Sequence, residues 1–204
     1  SVVIPLYNED EVIRSCYQRL VKVTDAISLE FEFVFVDDGS KDQSVDILLK
    51  LQQHDPRIKL LKLSRNFGKE AALTAGLDHA MGEAIIIIDA DLQDPPELFK
   101  VMIDSWEQGA EVVCMRRKSR AGETALKKLS SYAYYRFLNY LSDVDIPNDV
   151  GDFRLLSRAA TEAIKTIPER SRYMKGLFAW VGFNPVFINY DRDPRFAGNS
   201  KWNY

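Results

Sequence analysis

The chain has 204 residues, 27 of them Lys or Arg and 30 Asp or Glu, for a formal net charge of −3. That near balance excludes a global basic field, so any cationic patch is local and no nucleic-acid partner is expected. The length suffices for one sizeable α/β domain, Cys16 and Cys114 are far apart and fit a reduced, cytosolic setting, and no apolar run is long enough to cross a bilayer.

Residues 1–5 read as a strand that opens the sequence without a methionine, so a longer parent protein is expected. Val12, Ile13, Cys16, Leu20, Val23 and Ile27 recur near helical spacing and predict a helix over 9–28. Residues 31–36 form the second strand, which runs into Asp37-Asp38-Gly39-Ser40, and a helix follows over 42–53. A third strand, 58–63, leads into Ser64-Arg65-Asn66-Phe67-Gly68-Lys69, read as a turn and helix start, although Asn66 and Lys69 could also approach a nucleotide. A helix over 70–81 comes next. Ile85-Ile86-Ile87-Ile88 then runs into Asp89-Ala90-Asp91-Leu92-Gln93, a strand buried on both faces whose polar groups begin where it leaves the sheet. Pro95 and Pro96 stop it, and a helix over 97–108 and a strand over 111–115 follow. This alternation predicts a doubly wound, mostly parallel sheet with right-handed crossovers.

The pattern changes after Met115. Residues 116–141 are basic, then aromatic, and Leu126, Leu129, Ala133, Phe137, Tyr140 and Leu141 fit one face of a helix over 123–141. That helix reads either as a core helix with a solvated face or as an interfacial helix on an anionic membrane surface. A loop over 143–151, a short strand and helix over 153–166, a helix over 172–181 and a last strand over 186–190 complete the pattern. The polar tail 192–204 has a flexible point at Gly198. His54, His79, Trp106 and Trp180 read as surface or packing residues, and Lys127 and Lys128 as a solvated face.

Three strand ends carry polar groups in order, and in open α/β sheets ligands bind outside the carboxyl ends of the strands. Pro5-Leu6-Tyr7-Asn8-Glu9 could offer an aromatic and polar surface to a base, and Asp37 and Asp38 could accept hydrogen bonds from a base or ribose. Asp89 and Asp91 point the same way if the backbone stays extended. Two carboxylates that close repel unless a cation lies between them, and hard oxygens suit Mg²⁺ or Mn²⁺ completed by waters and phosphates. The bland alternative is a loop whose acids merely solvate a strand end.

These segments resemble the signature of family 2 glycosyltransferases with the GT-A fold, and the resemblance spans nearly the whole chain. Ser64 to Lys69, Asp89 to Pro96, Gly151-Asp152-Phe153-Arg154 and Arg195-Phe196-Ala197-Gly198-Asn199-Ser200-Lys201-Trp202 look like the polyprenyl-phosphate branch, which includes dolichyl-phosphate mannose synthase and bactoprenol glucosyltransferases (GtrB-like), the latter the nearer. The resemblance implies one GT-A catalytic domain over 1–204. Pro5, Tyr7, Asn8, Glu9, Asp37, Asp38 and Asp89 would line the nucleotide pocket. Asp89, Asp91 and Gln93 would form the shell of Mg²⁺ or Mn²⁺, and Asp91 and Asp152 would be catalytic. Arg117, Arg120, Lys175, Arg195, Ser200 and Lys201 would grip the acceptor phosphate, the last three on a flexible active-site segment. The implied partners are a nucleotide sugar, UDP-glucose favoured, a polyprenyl phosphate and the membrane surface. The implied location is the cytoplasmic face of a membrane, held by C-terminal helices outside this chain. A homo-oligomer is left open.

The implied reaction is inverting transfer of a single sugar, since the Gln-x-x-Arg-Trp motif of processive members is missing. GDP-mannose, UDP-N-acetylglucosamine and a UDP-aminoarabinose derivative stay open as donors. A haloacid-dehalogenase-like phosphatase also carries Asp-x-Asp after an apolar strand, but Gln93 stands where Thr or Val is usual, and Tyr7–Glu9 and Asp37–Ser40 would have no task. A sugar nucleotidyltransferase needs a glycine-rich loop where Leu6-Tyr7-Asn8-Glu9 stands. A non-catalytic sugar-nucleotide-binding module remains the rival from another class.

Overall fold

The computed structural model describes residues 1–118, 150–169 and 173–194. Seven strands form one sheet: β1 (Val2–Leu6), β2 (Phe33–Asp37), β3 (Ile58–Lys62), β4 (Ala84–Ile87), β5 (Val112–Arg117), β6 (Val150–Ser157) and β7 (Pro185–Tyr190). Their spatial order is β3-β2-β1-β4-β6-β5-β7. Every neighbouring pair is parallel except the two that β6 makes, with β4 and with β5. The sheet is therefore mostly parallel, as the alternation of strand and helix predicts.

The inner strands are near-continuous apolar runs because helices cover both faces. On one face Ile4, Phe33, Phe35 and Ile86 pack with Ile13 and Leu20 of α1 (Ile13–Thr24), Leu48 of α2 (Ser44–Gln52) and Phe99 and Met102 of α4 (Phe99–Glu107). On the other, Val3, Val34, Val36, Ile85 and Ile87 pack with Leu73 and Leu77 of α3 (Lys69–His79), Ile164 of α5 (Arg158–Lys165) and Phe178 of α6 (Met174–Trp180). The edge strand β3 exposes Lys59 and Lys62, side chains that discourage edge-to-edge pairing. Pro5 is tolerated inside β1 because odd positions of β1 face β4, and β4 has left the sheet by Ile88, whose N–H reaches the carbonyl of Val3.

Three expectations change. The first helix begins at Ile13 rather than at 9, because residues 8–10 are tied to the loop after β2: the Asn8 N–H donates to Ser40 Oγ at 2.8 Å, Glu9 N–H to Ser44 Oγ at 2.9 Å and Asp10 N–H to Asp42 at 3.1 Å. Val150 and Gly151, expected in a loop, already belong to β6, which runs for 8 residues. The backbone after β4 does not stay extended: it turns through Ala90 and Asp91, and Leu92 takes a left-handed φ of 60°, a conformation costly for a bulky residue. The interfacial-helix reading falls largely on residues 119–141, and that reading, Arg120 and the tail 195–204 lie outside the described residues.

Candidate active site

All the polar strand ends meet along one edge. The carboxyl ends of β1, β2, β3, β4, β5 and β7 lie there, and so does the start of the antiparallel β6, because Ile87 pairs with Arg154 and the chain beyond each leads to Asp89 and Asp152. The centre of this edge is an ammonium. Lys69 Nζ lies 2.6 Å from Asp89 Oδ1 and 2.7 Å from Asp152 Oδ2, with only 11% of its side chain exposed. Burial works against the charge of Lys69, but the two carboxylates outweigh it and raise its pKa. Lys69 is thus both the start of α3 and part of this cluster; the sequence reading kept both a helix start and an approach to the nucleotide, with the first slightly favoured.

Asp37 and Asp38 are fully buried and work on loops. Asp37 accepts the Ser40 N–H at 3.2 Å, closing the turn after β2. Asp38 accepts the N–H groups of Phe67 at 2.7 Å and Gly68 at 2.9 Å, the two residues ahead of Lys69. Burial pushes the Asp38 carboxyl up and these amides pull it back only in part. Gly39 sits so close to the Arg65 backbone that an added Cβ would lie 2.5 Å from its carbonyl carbon, and its φ is 71°. Asn8, at φ 53°, accepts the Lys41 N–H at 2.8 Å, so the loop holding Tyr7, Asn8 and Glu9 and the loop after β2 form one laced wall.

The turn after β4 is clamped from both sides. Asp91 accepts the Gln93 N–H at 3.1 Å and has an Arg192 nitrogen at 3.8 Å. Gln93 accepts the Asp193 N–H through its backbone carbonyl at 2.9 Å. Arg19 of α1 reaches the Leu92 carbonyl at 3.4 Å, Glu97 at 2.7 Å and Asp193 at 2.8 Å. Asp94 is buried; Tyr190 donates its hydroxyl to it at 2.5 Å and Arg192 Nε lies at 3.2 Å. Arg117 ends β5, half-buried near Tyr190 and Asp94; burial opposes its charge, and Tyr190 and Asp94 more than restore it.

Behind Asp152, Arg154 is buried, stacks over Phe178 at 3.8 Å and donates to the Gly151 carbonyl at 2.8 Å. Burial lowers its pKa. Of the residues expected at the acceptor phosphate, Arg117 is at this edge, Lys175 lies on α6, and Arg195, Ser200 and Lys201 fall outside the described residues. Sequence reasoning missed Asp94, Tyr190, Arg192 and Arg19. The pair Asp94–Tyr190 is 96 residues apart in sequence, so no local pattern announces it.

Among the described residues no three acids, histidines or cysteines converge to hold a metal unaided. The two carboxylates of the β4 turn still fit a hard divalent cation, which commonly takes one or two protein carboxylates and fills its shell with waters and phosphate oxygens.

The family model described as glycosyl transferase family 2 matches residues 1–165. An uncharacterized glycosyltransferase, sll0501 of Synechocystis sp., is 47% identical over 204 residues, all of this chain and 64% of its own. A prophage bactoprenol glucosyl transferase homolog of Escherichia coli is 44% identical over 203 residues, 100% of this chain and 66% of its own. The chain therefore spans a little under two-thirds of these relatives. Among solved structures, S. aureus TarS 1-349 in complex with UDP-GlcNAc superposes with a TM-score of 0.66 at 19% identity, over 99% of this chain and 61% of its own. Glucosyl-3-phosphoglycerate synthase of Mycobacterium tuberculosis, with Mn²⁺, UDP and glucosyl-3-phosphoglycerate, gives 0.59 at 20% identity, over 97% and 72%.

Proposed function

The chain belongs to glycosyltransferase family 2 and has its GT-A fold, and from that membership we propose that it transfers one sugar, glucose from UDP-glucose, to a polyprenyl phosphate with inversion at the anomeric carbon. What carries this reading is the Lys69 bridge: an acid from the turn after β4 and the acid at the start of β6 meet at one ammonium on the ligand-binding edge. A simple binding module has no need for the second acid, and a phosphatase would leave the Tyr7–Glu9 wall without a task. The bactoprenol glucosyl transferase homolog supports the acceptor and the sugar, and the Mn²⁺ and UDP of the structural neighbour support the metal and the nucleotide.

In this reading the wall of Tyr7, Asn8 and Glu9, with Pro5 beneath it, holds the base and ribose, and Asp37 and Asp38 shape it through the loops they brace. Asp89 and Asp91, with Gln93 beside them, would hold Mg²⁺ or Mn²⁺, which supplies charge neutralisation for the departing diphosphate. A lipid phosphate is already anionic, so it needs placement more than deprotonation. Arg117, with Arg120, Lys175, Arg195, Ser200 and Lys201, grips it against the donor's charge. Asp152 takes any residual proton or stabilises positive charge developing at the sugar. No described helix is long and apolar enough to cross a membrane, and segments outside the chain would hold the domain at the cytoplasmic face.

The test is radiolabelled transfer from a panel of UDP- and GDP-sugars to undecaprenyl phosphate in detergent, with Mg²⁺ or Mn²⁺ and an EDTA control. Label entering the lipid from UDP-glucose, and lost with EDTA, is expected. Label from another donor corrects the sugar, and none from any donor overturns the reading.

A further inference from the structure

Lys69 stands where an ammonium is hard to keep. It is buried, and it is the first residue of α3, the helix end whose dipole disfavours a cation. Among the described residues, Asp89 and Asp152 offset these costs, at 2.6 and 2.7 Å. The backbone just ahead of it is held as well, because Asp38 takes the N–H groups of Phe67 and Gly68. A chain of contacts therefore runs from β2 through the start of α3 to the ends of β4 and β6. A lysine needed only to start a helix would point its charge to water.

We propose that Lys69 is a positioning residue that sets the separation of Asp89 and Asp152 and competes with a divalent cation for Asp89. This rests on the transferase reading for its effect on turnover alone; the competition follows from the shared carboxylate. Lys69 keeps Asp89 from binding a cation at full strength and, when a cation takes Asp89, stays anchored on Asp152. Loss of the ammonium should then move two observables in opposite directions. The grip on a cation tightens because a competing charge beside Asp89 is gone, and turnover falls because Asp152 loses an ammonium that helps orient it.

The experiment uses the full-length protein and Mn²⁺ titrations followed by electron paramagnetic resonance with UDP present, beside steady-state transfer. Lys69→Met, similar in length and uncharged, is expected to bind Mn²⁺ at least about threefold more tightly while kcat falls about 100-fold and donor KM changes little. Asp152→Asn leaves Lys69 to Asp89 alone and is expected to weaken Mn²⁺ binding, which keeps the test decisive should Lys69→Met fail to fold. Unchanged or weaker Mn²⁺ binding in folded Lys69→Met, unchanged binding in Asp152→Asn, or no Mn²⁺ binding in the wild type would overturn the proposal. Shifts of the expected signs in a protein that transfers no sugar would uphold the competition and sink the transferase reading instead.

Discussion

Tyr190 donates its hydroxyl hydrogen to Asp94 across 2.5 Å, joining the last strand of the sheet to the turn that carries Asp89 and Asp91. Burial pushes the Asp94 carboxyl up, Arg192 opposes that, and Asp89 adds to it. Tyr190→Phe leaves this buried oxygen short of a donor, and the expected loss is about 1–3 kcal/mol of stability. Asp94→Asn should cost less, because an amide oxygen still accepts the hydroxyl and a buried charge disappears. Urea unfolding of the two variants checks the order, and a larger loss in Asp94→Asn would refute it.

Gly76 fixes how closely α3 lies on the sheet. A Cβ there would overlap the Val3 side chain and stand 3.2 Å from Val36 Cγ2. In an exposed helix, Gly→Ala gains about 1 kcal/mol. Here overpacking at about 1–3 kcal/mol wins, so Gly76→Ala should destabilise. It should also lower transfer, because the displaced helix carries Lys69. Thermal unfolding beside a transfer assay tests both, and a stabilised variant would show that the contact is soft.

Glu32 ties the far end of the sheet together and should give the protein an acid-sensitive limb. Burial opposes its charge, but Lys59 at 2.5 Å, the Ser1 hydroxyl at 2.5 Å and the Met81 N–H at 2.6 Å outweigh it and hold its pKa at about 2, against 4.5 unperturbed. A carboxyl depressed on folding stabilises fully above its unfolded value, and that stability fades as pH falls from about 4.5 toward about 2. Wild type and Glu32→Gln should therefore differ in Tm near neutral pH and converge in acid. A gap that stays constant with pH would assign the difference to packing instead.

The sheet was legible because its strands are apolar runs of the length a doubly covered parallel strand needs, and Ile85 to Ile88 announce both the strand and its end. The acids at Asp37 and Asp89 could be seen as strand-end residues for the same reason, whereas Asp152 was reached only through the family resemblance of Gly151-Asp152-Phe153-Arg154. The reversed direction of β6 was not legible, since an apolar run such as Leu155-Leu156 has no polarity of its own. Lys69 could have been weighed more heavily: a cation as the first residue after Gly68 sits at the unfavourable end of its helix, and that mismatch is a local signal. Asp94, Arg19 and Arg192 join the candidate site through partners on other elements, and pairings that distant are set by topology alone.

Asp91 and Asp94 occupy one turn but should answer to metal differently. Asp94 has its oxygen capped by Tyr190 and Arg192 at 2.5 and 3.2 Å. Asp91 accepts a backbone N–H at 3.1 Å and faces an Arg192 nitrogen at 3.8 Å, beyond hydrogen-bond reach, and it stands beside Asp89 where a divalent cation would be held. Asp91→Asn keeps an oxygen for the Gln93 N–H, so the turn should persist and the loss should fall on metal use. Transfer is expected to drop by more than the roughly 10- to 100-fold that loss of an outer partner of a metal site costs, and to recover in part as Mn²⁺ is raised. Asp94→Asn should keep the wild-type Mn²⁺ dependence, and Asp152→Asn should need more Mn²⁺ yet stay impaired at saturating metal, since its own carboxylate is lost. If Asp91→Asn and Asp94→Asn respond alike, the turn holds its metal through some other group.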